Sequence, residues 1–521
     1  MFIDGRKIED KAVIEADICI IGAGAAGITL AREFIGSSFN VCLLESGGLE
    51  FDEETQSLYN GKNIGYPYYD LDVLRLRYFG GTTNIWSGVS RPLDTIDFGV
   101  RSWVPYSGWP LELADLTPFY RRAHGICQLG TYSYSLAENK DSNAPGLPLK
   151  GDSILTTLYR ENPVNFGQAY RDEIKNADNI HTYLFSNALT FETDPNTSKV
   201  SQVAVGTLDG KRFHVKSRVY ILATGGVENV RLLLNSNQTH TNGLGNNHDL
   251  VGRFFMEHLS ITGAVYLPSQ VQPMQLYVQG DASERHGALV PSAKAQQREE
   301  ILNIYGALFP SSLRSGVKAV APGLVSSIMA LRANMSLDDI GEHVRRISAD
   351  LDDLTLHTYR RVFRSQDVQR EYYIVYQMEH APDFDSRVTL DTERDRLGLQ
   401  KVMLDWRFGD MERKTLRRMN AMIAQAVGGA GLGRVREIPD DGNSGWPPGV
   451  RGAWHQMGTT RMSQDPKKGV VDANCRIHGI SNLFVSGSSV FPTSGCSSPT
   501  LTIVALSIRL ADHLKQVLRT G

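Results

Sequence analysis

A glycine motif near the N-terminus constrains the fold of this chain more than any other feature. Residues 16–21 form a short apolar run typical of a buried parallel strand, and residues 28–33 have helical spacing. Between them, Gly22, Gly24 and Gly27 form the pattern G-x-G-x-x-G. These glycines permit a tight turn, a close approach of the backbone to a pyrophosphate, and close packing of the helix on the strand. The pattern predicts a strand, a turn and a helix whose N-terminus binds a dinucleotide.

A carboxylate follows at the position that such folds use for a ribose. Residues 41–44 form a second apolar strand, and Glu45 follows it, about 20 residues after the glycines. The carboxylate of Glu45 suits ribose hydroxyls and disfavours the 2′-phosphate of NADP. FAD and NAD share this fingerprint, so the choice between them rests on other segments.

Charge and length exclude several classes of protein. The chain has 521 residues, of which 41% are hydrophobic, and two domains are expected. Its 54 Lys and Arg against 57 Asp and Glu leave a net charge of −3, which predicts neither a nucleic-acid partner nor a membrane surface. The N-terminal residues lack a signal-peptide pattern and no run reaches transmembrane length, so a cytoplasmic location is expected.

The cysteines predict neither disulfides nor a metal site. They are odd in number and scattered, and two of them fall in predicted core strands, where cysteine behaves as a small hydrophobe. The sequence contains no close group of cysteines that could bind an iron–sulfur cluster. The five residues are Cys19, Cys42, Cys127, Cys475 and Cys496.

Further segments carry glycines and candidate catalytic residues. Residues 78–88 are rich in Gly and Thr, which predicts a loop that places backbone amides against a flat ligand. Residues 217–226 have the pattern of a strand followed by glycines, and a helical segment follows them. Near the C-terminus, residues 454–461 contain His455 in the sequence Trp-His-Gln-Met-Gly-Thr-Thr-Arg, and residues 487–493 form another loop.

With these segments the chain resembles the glucose-methanol-choline (GMC) oxidoreductases, a flavoprotein family, and within it the pyranose oxidase-like bacterial members. The resemblance extends from Asp17 to about Leu514, with landmarks at residues 251–258 and 385–390, and it is poor over roughly 265–370. It implies an α/β fold with a discontinuous, Rossmann-like FAD-binding domain. The second domain is expected to be an α+β substrate domain with an antiparallel sheet roofed by helices.

The two predicted domains are interleaved along the chain. Residues 10–60, 200–260 and 450–521 are expected to form the FAD-binding domain. Residues 61–199 and 261–449 are expected to form the flavin-loop and substrate-binding domain.

Patterns in the predicted substrate region indicate a sheet and helices. Residues 371–378 and 386–390 have the pattern of strands that flank a turn at Pro382. Residues 337–347 have amphipathic helical spacing, and residues 412–427 predict a helix that ends at a Gly-Gly pair. These segments predict the antiparallel sheet and its covering helices.

The resemblance implies FAD without a covalent link. Family members that attach FAD covalently carry a histidine immediately before a tryptophan in the Gly-Gly loop, and this chain has Ile85 before Trp86. Glu45 is expected at the adenosine ribose, and residues 80–88 against the isoalloxazine ring. The expected FAD-binding residues are Gly22, Gly24, Ala25, Ala26, Gly27, Glu45, Ser46, Gly80, Gly81, Thr82, Asn84, Ile85, Trp86, Ser87, Leu189, Ala223, Gly225, Glu228, Gly487, Ser488, Pro499, Thr500 and Leu501.

His455 is the candidate catalytic base. Oxidation of an alcohol by a flavin requires a base at the hydroxyl while hydride leaves carbon for flavin N5, and histidine suits this task near neutral pH. The segment around His455 resembles the family segment whose histidine faces N5. His478, His258 and His380 are predicted to be structural.

Ser498 marks a departure from the family. Members of the family usually place a second His or Asn just before a proline at this point, and here Ser498 precedes Pro499. A serine is shorter, so it reaches a substrate oxygen only in a suitable site or through a water. Three alternatives stay open: Ser498 keeps a hydrogen-bonding role, the role has moved or lapsed, or Ser497 is the relevant group.

The resemblance implies FAD-dependent oxidation of an alcohol group on a sugar-like substrate, such as a pyranose, an amino sugar or a glycoside. Trp86, Trp103, Tyr106 and Trp109 suit sugar faces but suit the core equally well. A flavin-containing lyase of the same fold and a catalytically decayed flavoprotein are the alternatives. No motif encodes the electron acceptor, which is oxygen, a quinone or a redox protein, and none encodes the oligomeric state.

Overall fold

The fold of the chain is described by a computed structural model. It covers residues 1–136, 145–194, 198–272, 274–278, 285–310, 371–442 and 444–520. The helix predicted at residues 337–347 lies outside the described residues. Among the helices within these ranges, none is long and apolar enough to cross a membrane.

The secondary-structure elements are numbered along the described residues. The strands are β1 (Phe2–Asp4), β2 (Val13–Ile21), β3 (Val41–Leu44), β4 (Gly61–Asn63), β5 (Val89–Ser90), β6 (Ile154–Glu161), β7 (Ile180–Leu184), β8 (Asn187–Thr193), β9 (Val200–Gly206), β10 (Arg212–Leu222), β11 (Leu259–Pro268), β12 (Arg285–Pro291), β13 (Ile304–Pro310), β14 (Tyr372–Met378), β15 (Arg387–Arg394), β16 (Gln400–Asp405), β17 (Gly433–Glu437), β18 (Arg451–Gly452) and β19 (Leu483–Val485). The α-helices are α1 (Ala25–Phe34), α2 (Glu53–Gln56), α3 (Thr95–Phe98), α4 (Leu113–Ile126), α5 (Phe166–Ala169), α6 (Arg171–Asn176), α7 (Gly225–Asn235), α8 (Ala293–Glu299), α9 (Asp410–Gly429) and α10 (Thr500–Thr520).

The first sheet carries the glycine motif. Its strands lie in the order β1-β7-β3-β2-β10-β9-β8, and β19 also pairs with β10. Strands β1, β7, β3, β2, β10 and β19 run parallel to one another. Strands β9 and β8 form an antiparallel edge beside β10. Residues 18–21 and 41–44 are buried, as continuous apolar runs in central parallel strands should be. The strand, turn and helix predicted from the glycine motif are confirmed as β2 and α1.

The second sheet is antiparallel at every described pairing. Its order is β17-β11-β14-β13-β12-β6-β5, and β18 also pairs with β11. Helix α9 packs against β11 and β17. Asn420 of α9 fixes this contact, because its Oδ1 accepts from the Tyr376 hydroxyl at 2.6 Å and its Nδ2 donates to the Gly263 carbonyl at 3.2 Å. The predicted fold class is confirmed: a Rossmann-like sheet and an antiparallel sheet covered by a helix.

The two strands predicted on either side of Pro382 are present as β14 and β15, but they do not pair with each other. Strand β14 lies between β11 and β13, so both of its edges are already hydrogen-bonded. Strand β15 pairs instead with β16, in a third sheet that also contains β4. The alternation of residues predicted that these strands exist, but the choice of partners depends on which edges other segments occupy.

The predicted domain boundaries stay a prediction. The first sheet draws β7 and β8 from residues 180–193, which the prediction assigned to the substrate-binding part. The second sheet draws β18 from residues 451–452, which the prediction assigned to the FAD-binding part.

Candidate active site

A cavity of about 520 Å³ lies at the carboxyl ends of the parallel strands of the first sheet. Four of its residues each follow a parallel strand directly: Gly22 follows β2, Glu45 follows β3, Ala223 follows β10 and Ser486 follows β19. Open parallel sheets bind ligands at this edge. The first sheet therefore places its ligand site where the sequence motif begins.

The glycines around the cavity are required for different reasons. Gly22 has a φ of +100°, and a Cβ on Gly27 would lie 1.8 Å from the Gly22 carbonyl oxygen. A Cβ on Gly24 would instead meet nothing within 4 Å, and the same holds for Gly225 and Gly487. Because these last three residues line the cavity, their missing side chains leave room for a ligand. We call these five residues the glycine wall.

Glu45 is buried in the cavity wall. Its Oε2 accepts a hydrogen bond from the Ala23 N–H at 2.8 Å, and its Oε1 accepts one from the Gly47 N–H at 3.1 Å. Burial raises the pKa of Glu45, against these two N–H groups, which lower it. The two bonds hold the carboxylate in place, and each oxygen keeps a further lone pair for a ligand hydroxyl.

Three arginines surround the buried carboxylate of Glu228. Arg75, Arg77 and Arg231 donate to it at 3.3, 3.1 and 2.9 Å. Burial would raise the pKa of Glu228, but the three guanidinium groups outweigh it and hold the pKa at about 2. Arg231 also pairs with Asp395. The cluster thus has three positive and two negative charges, and its excess positive charge suits an anionic ligand.

His455 lines the same cavity and bonds to a second histidine. Its Nδ1 lies 2.9 Å from Nδ1 of His258, and Nε2 of His258 lies 2.8 Å from the carbonyl oxygen of Gly495. Burial lowers the pKa of His455 well below its usual value, and the neighbouring His258 lowers it further. Burial also lowers the pKa of His258, to about 4. Both rings are therefore neutral near neutral pH.

A buried glutamate holds the backbone at His455. Oε1 of Glu257 accepts from the His455 N–H at 2.6 Å and from the Ala453 N–H at 3.2 Å, and its Oε2 accepts from the Tyr68 hydroxyl. Burial raises the pKa of Glu257 to about 7, although these donors lower it. We call His455, His258 and Glu257 the histidine corner.

Ser498 lines the cavity, whereas Ser497 does not. The Ser497 hydroxyl donates to the Pro92 carbonyl at 3.2 Å, and the Ser498 hydroxyl bonds to none of the described residues. Among the aromatic candidates, Trp86 lines the cavity and Trp109 is buried in the core, where its Nε1 donates to the Thr493 hydroxyl at 2.9 Å.

Most of the residues predicted to bind FAD line the cavity, and five do not. Gly27 packs α1 on β2, Gly80 and Asn84 shape the loop that precedes Ile85, and Leu501 belongs to the core. Leu189 packs against Leu58 and Leu397 in a separate cluster, and its neighbour Ala188 lines the cavity. Glu228 does line the cavity, but its oxygens bind arginines.

Sequence reasoning missed three residues of this site. His258 was predicted to be structural, but it contacts His455, and Arg75 and Arg77 were not considered although both line the cavity. The segment 251–258 was a landmark of the resemblance, which was the available signal for His258. His478 and His380 bond to backbone carbonyls, at 2.9 Å from Ser463 and at 2.7 and 2.8 Å from Ala381 and Arg407.

Comparison with known proteins identifies the family. Residues 17–357 match the FAD dependent oxidoreductase family, and residues 382–507 match the GMC oxidoreductase family. The chain is 24% identical to 6'''-hydroxyparomomycin C oxidase of Streptomyces lividus, over 96% of this chain and 92% of that one. It is 23% identical to the fructose dehydrogenase large subunit of Gluconobacter japonicus, over 98% and 99% of the two chains. The crystal structure of pyridoxine 4-oxidase from Mesorbium loti shares the fold, with a TM-score of 0.54 at 16% identity over 96% and 99% of the two chains.

The family match over residues 17–357 shows that the protein is an FAD-dependent oxidoreductase. Within that class, the chain belongs to the GMC oxidoreductase family, as the sequence predicted, and it is an alcohol oxidoreductase.

The residues of the cavity fit FAD. Gly24, Gly225 and Gly487 present open space where a side chain would project, and the N-terminus of α1 supplies N–H groups that cannot bond within the helix. Glu45 offers a fixed carboxylate for a ribose. The buried Nε of Arg77 bonds to none of the described residues, so it is available to an anionic ligand.

Proposed function

We propose that this protein oxidises an alcohol group on a sugar-like substrate, with bound FAD as the hydride acceptor and His455 as the base. The observation that carries the proposal is the placement of His455. Its ring lines the cavity that Gly22, Gly24, Gly225 and Gly487 also line, and only its Nδ1 is bonded among the described residues. Nε2 is thus left to meet a substrate hydroxyl in the same cavity.

The neutral state of His455 supports this role. When bound, FAD accepts a hydride at its N5 atom from the carbon of the alcohol. His455 must take the hydroxyl proton at Nε2, which requires an unprotonated nitrogen there. Burial keeps the ring neutral near neutral pH, and the Glu257 carboxylate fixes the backbone from which the ring projects. Ser498 supplies a hydroxyl that no described residue engages, so it can bond to the substrate oxygen.

The mode of FAD binding and the location belong to the same proposal. Ile85, which cannot form a histidyl link to FAD, lies in the cavity wall beside Trp86, and this supports noncovalent binding. All five cysteines are free and buried, which is consistent with a reducing, cytoplasmic environment. The electron acceptor is oxygen, a quinone or a redox protein.

The relatives support a sugar-like substrate. One is named for the oxidation of a hydroxyparomomycin, an aminoglycoside, and another for fructose. The half-buried Trp86 lines the cavity and offers an apolar ring face of the kind that packs on sugars.

An anaerobic reduction screen tests the proposal. The purified protein is mixed without oxygen with pyranoses, amino sugars and glycosides, and the visible absorbance of the flavin is followed. Bleaching by one of these substrate classes is expected, and reoxidation by air or a quinone then identifies the acceptor. A flavin that no alcohol reduces, although dithionite reduces it, would contradict oxidation and favour a lyase or a decayed site. Acid precipitation of the protein should release intact FAD. Flavin that stays with the precipitated chain would contradict noncovalent binding.

A further inference from the structure

The buried ring of His258 determines which nitrogen of His455 carries the proton. Nε2 of His258 faces the carbonyl oxygen of Gly495 at 2.8 Å, and its Nδ1 faces Nδ1 of His455 at 2.9 Å. A carbonyl oxygen only accepts hydrogen bonds, so Nε2 of His258 carries a hydrogen. A neutral imidazole has a single N–H group, and Nδ1 of His258 is therefore an acceptor.

The hydrogen bond between the two rings then has one direction. Nδ1 of His455 donates to Nδ1 of His258, which leaves Nε2 of His455 with a lone pair. The planes of the two rings are 85° apart and their centroids are 5.0 Å apart, so the rings meet through their edges. A doubly protonated His258 would reverse the bond, but burial keeps this ring neutral near neutral pH.

We propose that His258 is a positioning residue that holds His455 in the Nδ1–H tautomer, through its own bond to the Gly495 carbonyl. The inference rests on the proposed role of His455 as the base. A base needs its lone pair on the nitrogen that meets the substrate, and without an acceptor at Nδ1 nothing holds the proton there. When Nε2 takes up a proton, the bond from His455 to His258 persists and becomes charge-assisted, and it is then stronger than in the resting state.

The first test reads the tautomer directly. The FAD-loaded protein is prepared with ¹⁵N-labelled histidine, and the ring nitrogens are observed by two-dimensional NMR. The ring of His455 is identified by its absence from the spectrum of His455→Asn. The expected result is a proton on Nδ1 of His455 in the unsubstituted protein. A proton on Nε2 would overturn the proposal, whatever the activity of any variant.

The second test removes the acceptor. In His258→Leu, the limiting rate of flavin reduction is expected to fall roughly 10²-fold. This is less than the roughly 10⁴-fold loss for a catalytic histidine fixed in the wrong tautomer, because without the acceptor His455 still adopts the Nδ1–H tautomer part of the time. The dissociation constant of the substrate should change less than about threefold, because His258 does not contact the cavity. His258→Asn, whose amide oxygen can accept from His455, should recover at least about tenfold of the lost rate. Equal rates in the two variants, or a full rate in His258→Leu, would overturn the proposal.

A matched control separates this effect from the loss of a buried histidine. His124 is also buried, with one ring nitrogen at the Gly130 carbonyl and the other at the Tyr134 hydroxyl, and it lies outside the cavity wall. His124→Leu should keep the rate of flavin reduction and the tautomer of His455. The proposed roles of His455 and His258 fail in distinguishable ways. A normal rate of flavin reduction in His455→Ala would overturn the role of His455 as the base. Slow reduction in His455→Ala together with normal reduction in His258→Leu would overturn only the role of His258.

Discussion

Four residues of the glycine wall and His455 of the histidine corner line one cavity, but the wall and the corner are built by different means. The wall consists of backbone, and its shape depends on positive φ angles and on missing Cβ atoms. The corner consists of side chains from two separate segments, residues 257–258 and residue 455, held by hydrogen bonds to each other and to the Gly495 carbonyl. A substitution in the wall should therefore lower the stability of the fold or the affinity for FAD. A substitution in the corner should leave both unchanged and slow flavin reduction.

The largest effect is expected within the wall itself. In Gly27→Ala, the added Cβ would lie 1.8 Å from a backbone carbonyl oxygen, so unfolding free energy should fall by at least about 4 kcal/mol, with and without FAD. In Gly24→Ala, the Cβ meets no protein atom, so the stability of the apoprotein should hold while FAD affinity falls roughly tenfold or more. Denaturant unfolding and FAD titration measure both. Equal stability of the two apoprotein variants would break the distinction between packing and ligand glycines.

The second prediction concerns the corner. His455→Ala should keep FAD but slow substrate-dependent flavin reduction by about 10² to 10⁴, because a positioned general base is lost. Stopped-flow absorbance under anaerobic conditions measures the rate. His478→Ala is the control, since His478 bonds to the Ser463 carbonyl and lies outside the cavity wall. Loss of FAD from the His455 variant would mean that wall and corner are not separable.

The third prediction concerns the charged cluster beside the wall. The pKa of Glu228 is about 2 in the folded protein and 4.5 in an unperturbed glutamate, so its ion pairs stabilise the fold by about 3 kcal/mol above pH 4.5. This contribution should be lost as pH falls from 4.5 towards 2, because the lowered pKa means that the unfolded chain takes up the proton first. Urea unfolding across this range should show the loss in the unsubstituted protein, whereas Glu228→Gln should be less stable at pH 7 and flatter between pH 4.5 and 2. Parallel curves of stability against pH for the two proteins would contradict the assignment of this stability to the ion pairs of Glu228.

The smallest effect is expected at Ser498. If its hydroxyl binds the substrate oxygen, Ser498→Ala should lose about 0.5–1.5 kcal/mol of transition-state stabilisation, or roughly two- to tenfold in rate, because one neutral hydrogen bond disappears. Ser498→Asn should lower activity on the native substrate further, since a larger side chain enters a site adapted to serine. Ser497→Ala should have no effect, because Ser497 bonds to the Pro92 carbonyl outside the cavity. Equal rates with Ser, Ala and Asn at position 498 would show that this residue has no catalytic part. A higher rate with Asn would show that Ser498 is a weakened remnant of the family's second catalytic residue.

Much of the wall could be predicted from the sequence, and much of the corner could not. Gly22, Gly24 and Gly27 lie within six residues, between a strand and a helix whose apolar patterns are local, so the turn and its ligand follow from the motif. His258 lies 197 positions from His455, and no local pattern distinguishes it from a buried structural histidine. The strands on either side of Pro382 show the same limit, because the local pattern predicts each strand but its partners depend on which sheet edges other segments occupy.

The sequence by itself determined the family, the cofactor class, the strand-turn-helix and the identity of His455 as the candidate base. These properties depend on residue types at short, regular spacings, which local backbone geometry converts directly into structure. Only the tertiary structure decided that Leu189 faces away from the cavity, that three arginines hold Glu228, and that His258 meets His455. Apart from the i,i+3 pair of Glu228 and Arg231, the contacts of the charged cluster and the histidine corner join segments that are far apart in the sequence. Their geometry is set by sheet pairing and core packing rather than by any spacing along the chain.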